Sequence, residues 1–162
     1  MEYSGNNWRI QNALIECIRH FEFSEQKSIY NDWRINIAEN YNFSTIKTYK
    51  KNYVSAEPNY FIGHIASSNT VVASTSYKIE LKGIDRKFLA VEMEAAGVAR
   101  ACQDRKKPVP FLMIRGISDF SDERKKILDK VQKGILREYA MYSAINFFLS
   151  LIKIKCMKDF LS

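Results

Sequence analysis

The sequence predicts an α/β fold in which short parallel strands alternate with helices. Three short apolar runs, at residues 59–67 (NYFIGHIAS), 87–93 (KFLAVEM) and 110–114 (PFLMI), have the length and composition of buried strands. Residues 94–105, between the last two runs, have the periodicity of a helix. A strand, a helix and a strand in this order are typical of a parallel sheet.

The rest of the chain is expected to be largely helical. Residues 8–21 carry Ile10, Leu14, Ile15 and Ile18 at helical spacing, with Asn6 or Asn7 as the expected cap, and a second helix is expected at 24–41. Residues 71–83 fit either a strand or a helix. Residues 125–154 predict a long closing helix with a break near Gly134.

The expected internal boundary lies in residues 44–58, which are polar, basic and poorly periodic. We therefore divide the chain into a helical, basic segment at 1–57, a domain at 58–154 and a tail at 155–162. With 162 residues and a hydrophobic content of 46%, the chain is long enough to bury a core.

The cysteines and the apolar runs indicate in which cellular compartment the protein is expected. Cys17, Cys102 and Cys156 are odd in number and lack metal-ligand spacing, so we interpret them as reduced thiols of a cytoplasmic protein. No apolar run approaches the ~20 residues that a membrane helix needs. We expect no membrane partner.

The formal net charge of +7 raises the question of nucleic-acid binding. The densest basic patches are KTYKK at residues 47–51 and ERKK at 123–126, and such patches are more often solvated faces than binding sites. No helix-turn-helix, zinc or ribonucleoprotein motif accompanies them, which disfavours nucleic acid. A phosphorylated nucleotide would also suit the charge.

Polar side chains follow two neighbouring predicted strands. Glu92 and Glu94 end the second apolar run, where strand alternation would place both on one face; Arg115, Ser118 and Asp119 follow the third run. Ligands of parallel sheets bind outside the carboxyl ends of the strands, so these side chains are expected to converge on one pocket.

Three blocks of the sequence resemble a known family. They are GHIASSNTVVAS at residues 63–74, VEMEAAGVA at 91–99 and PFLMIRGISDFSDERKK at 110–126. In this order, and across residues 60–151, they resemble the C-terminal part of the nucleoside phosphorylase and nucleosidase superfamily, which contains purine and uridine phosphorylases and methylthioadenosine/S-adenosylhomocysteine nucleosidase. They are also similar to the nucleosidase-like modules of multidomain signalling and anti-phage proteins.

The resemblance implies a three-layer α/β/α sandwich of the phosphorylase/hydrolase type, lacking the N-terminal strands. The family fold begins with a strand and a glycine-rich loop that build the phosphate or water side of the site, and residues 1–43 are helical and basic instead. We therefore expect a fragment, a split subunit or a member with a replaced N-terminal half. Ser68 also stands where the family usually has glycine.

The resemblance assigns catalysis to two carboxylates. Asp119 matches the family aspartate that protonates the departing purine, and Glu94 matches the glutamate that holds the ribose hydroxyls. From position alone, Asp119 would be a helix N-cap and Glu94 a first-turn acid, and both alternatives stay open here. The substrate-binding residues are then expected to be Met93, Val71, Val72, Ser118, Arg115 and Glu92, the last as a supporting acid.

The function that the resemblance implies is cleavage of the N-glycosidic bond of a purine nucleoside or nucleotide, with release of the free base, in a module of a larger signalling or defence protein. We expect no metal and no cofactor, with inorganic phosphate as the alternative co-substrate to water. The expected partners are the small molecule and either further copies of the chain or an N-terminal half from another chain. The alternative is a non-catalytic nucleobase-binding or oligomerisation module.

Overall fold

The structure, a computed structural model, describes residues 8–23, 26–40, 57–69, 73–128, 130 and 134–161. This part is mixed α/β and mostly helical, with a small parallel sheet of two strands. In chain order the elements are α1 (Asn12–Arg19), a 3-10 turn (His20–Glu22), α2 (Lys27–Asn40), β1 (His64–Ser67), α3 (Thr75–Ile84), β2 (Phe88–Glu92), α4 (Ala95–Gln103), α5 (Lys125–Leu128), α6 (Ile135–Leu151) and α7 (Lys155–Leu161).

The main core joins the N-terminal helices to the C-terminal ones around Phe147 of α6. The ring of Phe147 lies 5.6 Å from that of Phe21 and 5.0 Å from that of Trp33, both in edge-on contact. Burying an aromatic side chain contributes about 1.5–3 kcal/mol, and edge-on pairs add about 0.5–1.5 kcal/mol. The indole N–H of Trp33 donates to the carbonyl oxygen of Ser143 at 3.2 Å, which fixes α2 against α6.

Helix α6 carries apolar side chains on its exposed side, such as Met141, Ile145 and Phe148, as well as on its buried side. Its buried side includes Leu136, Ala140, Phe147 and Leu151. The helix begins after Gly134, whose φ of 94° is a left-handed conformation that glycine adopts without steric cost. The expected break near Gly134 is therefore confirmed, and residues 125–154 form separate helices.

The two strands pair in parallel, with Ile65 opposite Ala90 and Ser67 opposite Glu92. Helix α3 makes the crossover between them, which settles the ambiguous residues 71–83 in favour of helix from Thr75 onward. The strand expected at 87–93 and the helix expected at 94–105 are confirmed within a few residues. The first strand is shorter than expected, because only its last four residues pair with β2.

The strand expected at 110–114 is wrong. Residues 108–118 contain no helix, turn or bend, and they pair with no strand of the described chain. A strand needs a neighbour to satisfy its backbone groups, and the described residues supply none here. Gly116 brings this segment against α6: a side chain at position 116 would overlap the carbonyl oxygen of Ala140.

The turn after this segment is anchored by a buried carboxylate. Asp122 accepts hydrogen bonds from the backbone N–H of Arg124 at 3.0 Å and from its Nη2 at 2.5 Å. Ser121, just before it, takes a positive φ of 52°. The guanidinium of Arg124 holds the pKa of the Asp122 carboxyl below its usual range. The turn therefore depends on the charged form of Asp122.

Two of the three cysteines form a disulfide, which corrects the interpretation of them as thiols. Cys17 of α1 and Cys156 of α7 are bonded, with their Cα atoms 6.0 Å apart, while Cys102 is free. The sequence gives no sign of this pair, because the two residues are 139 positions apart and meet only through the packing of the helices. None of the described helices is long and apolar enough to cross a membrane.

Replacing both Cys17 and Cys156 by serine is expected to lower the free energy of unfolding by about 2–4 kcal/mol, because the bond closes a long loop in the unfolded chain. Urea unfolding followed by circular dichroism measures the loss. Cys102→Ser is the matched control and should leave the midpoint within error. Equal midpoints for the double variant and the control would contradict a stabilising role for the bond.

The Asp122–Arg124 pair predicts a pH dependence of stability. The folded-state pKa of Asp122 lies below its unfolded value of about 3.9, so the pair stabilises the fold above that value and this contribution is lost as the pH falls through the folded pKa. Asp122→Asn should lower the urea midpoint at pH 7 and flatten its decline below pH ~4. Asp104→Asn, in an exposed pair with Arg100, is the control. Identical profiles for wild type and Asp122→Asn would refute this role.

Candidate functional site

The carboxyl ends of the two strands are tied to the helices that follow them. The backbone N–H of Ser68 donates to the carbonyl oxygen of Glu92 at 2.8 Å, which continues the strand pairing by one residue. The hydroxyls of Ser68 and Tyr77 lie 3.1 Å apart. The backbone N–H of Ala96 donates to Oγ of Ser67 at 3.3 Å. The first turns of α3 and α4 therefore converge on one edge of the sheet.

The buried side chain of Glu92 stabilises this edge of the sheet through hydrogen bonds to the backbone. Its side chain is only 2% exposed, and Oε2 accepts the backbone N–H groups of Glu94 and Ala95 at 2.6 Å each. A carboxylate here satisfies two donors that the start of α4 would otherwise leave unpaired. Oε1 is buried and has no hydrogen-bond partner within the described part of the chain. Glu92 therefore fixes the turn formed by Met93 and Glu94.

Met93 and Glu94 lie on the surface beyond the strand. Met93 is 41% exposed, and Glu94 occupies the N-cap position of α4 without a side-chain capping bond to that helix. Its Oε2 instead accepts the N–H of Met93 at 3.3 Å. The prediction that Glu92 and Glu94 share one face is wrong, because β2 ends at Glu92 and the strand alternation stops there.

Asp119 is held in a tight turn with one oxygen facing a cation. Oδ1 accepts the backbone N–H of Ser121 at 2.7 Å. Oδ2 lies 3.3 Å from the hydroxyl of Ser118 and 3.4 Å from Nζ of Lys125, and the side chain is 10% exposed. Helix α5 begins at Lys125, so Asp119 is not its N-cap. The carboxylate is oriented by the turn and balanced by an ammonium.

A cavity of about 760 Å³ opens beside Asp119. Arg115, Ser118 and Asp119 line it, and most of the other lining residues are apolar, including Ile65, Leu112 and Tyr139. Its volume lies within the range of small-molecule sites, about 300–1,000 Å³. The structure thus brings three of the sequence-predicted site residues to one cavity.

Three of the other predicted residues lie away from this cavity. Glu92, Met93 and Glu94 are not among the residues that line this cavity. Val71 and Val72 lie outside the described residues. The expectation that both groups of polar side chains meet in one pocket is therefore not met within the described part of the chain.

Helix α3 links the turn after β2 to the loop that carries Asp119, through contacts that the sequence did not indicate. The carboxylate of Glu123 accepts the backbone N–H of Thr75 at 2.9 Å and its hydroxyl at 2.7 Å. Nζ of Lys78 lies 3.9 Å from Oδ2 of Asp122. No sequence pattern joins positions 48 residues apart, so these contacts had no detectable signal. Lys125 was assigned to a solvated face, although it approaches Asp119.

The two histidines, His20 and His64, have no metal-ligand or triad spacing in the sequence. Nδ1 of His64 lies 2.5 Å from Oδ2 of Asp85, in an exposed pair at the amino end of β1. Among the residues that the structure describes, no three His, Cys, Asp or Glu side chains are grouped to hold a metal ion.

Comparison with known proteins relates the sequence of the chain to a family. The model described as "Phosphorylase superfamily" matches residues 23–143, beginning inside the segment 1–57 that the sequence sets apart. A 5'-methylthioadenosine/S-adenosylhomocysteine nucleosidase of Staphylococcus haemolyticus (strain JCSC1435) is 33% identical over 78 residues, which are 48% of this chain and 31% of that protein. The ATP nucleosidase Cap17 of Escherichia coli (strain KTE188) is 39% identical over 61 residues, 38% of this chain and 12% of that protein.

The matches therefore span at most about a third of the relatives' length. No solved structure matches the chain. The family match covers most of the chain and contains every sequence-predicted site residue. The chain belongs to the phosphorylase superfamily.

Proposed function

We propose that the chain takes part in cleaving the N-glycosidic bond of a purine nucleoside or nucleotide and releases the free base. The observation that carries the proposal is the position of Asp119, which lines an apolar cavity with one oxygen between a hydroxyl and an ammonium. Membership of the family and partial similarity to proteins named as nucleosidases support it.

The reaction needs a group that protonates the departing base. Breaking the bond leaves positive charge on the sugar and negative charge on the purine, so a protonated acid at the purine lowers the barrier. Asp119 is proposed for this role. Oδ2 of Asp119 lies 3.4 Å from Nζ of Lys125, so this contact must give way when the carboxyl turns toward the purine. Ser118 would keep the carboxyl oriented.

The sugar is proposed to bind at the turn after β2. The carboxylate of Glu94 can accept hydrogen bonds from two ribose hydroxyls, and Met93 offers an apolar surface to the ring. Both side chains are exposed, so this half of the site needs a cover. We propose that the cover comes from an N-terminal half on another polypeptide or from a second copy of the chain, which would complete a three-layer α/β/α sandwich.

The nucleophile is proposed to be water, with inorganic phosphate as the alternative and no other cofactor. Cations surround the loop that carries Asp119, namely Lys78, Arg124, Lys125 and Lys126, and they suit a substrate that itself carries phosphate. A nucleotide substrate would match the name of the ATP nucleosidase relative. We propose a module of a larger signalling or defence protein.

The second candidate function is a binding or oligomerisation module without catalysis. It is favoured by the separation of Glu94 from the cavity that holds Asp119. Stoichiometric binding of adenosine or ATP without release of base would support it.

Asp119→Asn is expected to lower the rate of base release at least about 100-fold, the usual contribution of a general acid. Chromatography of free adenine and hypoxanthine after incubation with methylthioadenosine, adenosine, inosine and ATP, with and without phosphate, measures it. Asp104→Asn is the matched control. Release that survives Asp119→Asn unchanged would refute the assigned role, and no release by the wild-type chain would refute catalysis by this chain alone.

Glu92→Ala should weaken nucleoside binding and lower the free energy of unfolding by about 1 kcal/mol or more, because the start of α4 loses its cap. Glu92→Gln retains one oxygen acceptor and should recover most of both losses. Equilibrium binding by calorimetry and urea unfolding provide the two readouts. Unchanged binding by a folded Glu92→Ala chain would show that the Met93–Glu94 turn does not hold the sugar.

A further inference from the structure

The disulfide joins the first helix of the described chain to the last. Cys17 lies in α1 and Cys156 in α7, and the two residues are 139 positions apart. The other contacts between these helices are noncovalent, through apolar side chains of the main core such as Leu14, Ile18 and Met157. The bond is therefore the covalent part of the contact that fixes α1 against α7.

Helix α1 is also a wall of the cavity beside Asp119. Ile15 and Ile18 of this helix line the cavity. Tyr60 lines it as well, and its hydroxyl donates to the carbonyl oxygen of Ile18 at 2.9 Å. Cys17 stands between the two isoleucines in one short helix, whose residues move together because hydrogen bonds join successive turns. A displacement of α1 at Cys17 therefore moves the wall of the cavity.

The two sulfur atoms of the bond differ in accessibility. Cys17 is only 9% exposed, whereas Cys156 is partly buried at the edge of the core. Nε2 of Gln26 lies 3.8 Å from Sγ of Cys156, within the distance of a weak hydrogen bond to sulfur. Lys155 and Lys158, on the same helix, are exposed and attract anions. A thiolate from solution therefore reaches Cys156 before Cys17.

We propose that the Cys17–Cys156 bond is a redox switch that sets the wall of the cavity beside Asp119. The proposal rests on the proposed function in taking this cavity as the nucleoside site. In the oxidised chain the bond holds α1 in place as a wall. In the reduced chain α1 keeps only its noncovalent contacts and moves outward. Sites for small molecules enclose most of the ligand surface, so the reduced chain binds the nucleoside more weakly.

The reductant is a dithiol, and the exchange balances. One thiolate of the dithiol attacks Sγ of Cys156 and forms a mixed disulfide, and the electron pair of the broken bond leaves on Cys17, which takes up a proton. The second thiol of the reductant loses its proton and attacks the reductant's own sulfur in the mixed disulfide. The dithiol closes to a disulfide, and Cys156 leaves as a thiolate and takes up a proton. Two electrons and two protons pass to the protein.

Hydrogen–deuterium exchange tests the movement of α1. Mass spectrometry compares the wild-type chain before and after reduction with dithiothreitol, and alkylation counts the free thiols to verify that reduction is complete. The amides of α1 should exchange at least about tenfold faster after reduction. The amides of α4, which contributes no residue to the cavity, should not change. Cys102→Ser is the matched control and should respond as the wild type does.

Trp33 tests the cavity itself without any ligand. Its side chain lines the cavity and is only 4% exposed. In a Trp8→Phe chain it is the remaining one of the two tryptophans, so its fluorescence can be read alone. Quenching by acrylamide should increase at least about twofold on reduction. The same chain with both Cys17 and Cys156 replaced by serine should show the reduced level with or without dithiothreitol.

Three results would overturn the switch. One is unchanged exchange in α1 after complete reduction. Another is an equal rise in the exchange of α1 and α4, or loss of the circular dichroism signal, because the bond would then serve stability alone. The third is unchanged quenching of Trp33 beside faster exchange in α1, because the helix would then move without opening the cavity.

Calorimetry with adenosine distinguishes this proposal from the proposed function. Reduction should weaken the affinity about tenfold, the order of one lost apolar contact, and equal affinity in both states would overturn the regulation. Opening of α1 and of the cavity on reduction, with neither adenosine binding nor base release in either state, keeps the switch and removes the proposed function. Base release that depends on Asp119 and is equal in both states, with α1 unchanged, keeps the proposed function and removes the switch.

Discussion

The described structure depends on α6, because this helix contacts other parts of the chain on more than one side. One side packs Phe147 against Phe21 and Trp33 and so fixes the N-terminal helices. Another side contacts Gly116, whose backbone lies so close to the carbonyl oxygen of Ala140 that a side chain at position 116 would not fit. The helix thereby sets both the main core and the path of the segment that leads to Asp119. Each buried aromatic residue contributes a few kcal/mol to stability. This packing can therefore hold the segment that leads to Asp119 in place, although that segment pairs with no described strand.

The three candidate carboxylates illustrate how environment separates residues that look alike in sequence. Glu92 is enclosed and uses one oxygen to hold the start of α4, so it sets the geometry of its neighbours. Asp119 keeps one oxygen beside Lys125 at the wall of a cavity. Glu94 stands at the surface and has no cation as a partner among the described residues. The three side chains therefore differ in burial and in partners, which only the packing of the chain decides.

The sequence by itself determined the local elements and the family. Apolar content located β2 within a residue or two, helical spacing located α4, and a glycine marked the break before α6. Only the tertiary structure decided which distant residues meet. It joined Cys17 to Cys156 and Thr75 to Glu123, and it left residues 110–114 unpaired with any strand of the described chain. The physical reason is that periodicity and caps act over a few residues, whereas pairing, burial and disulfide formation depend on positions that only packing brings together.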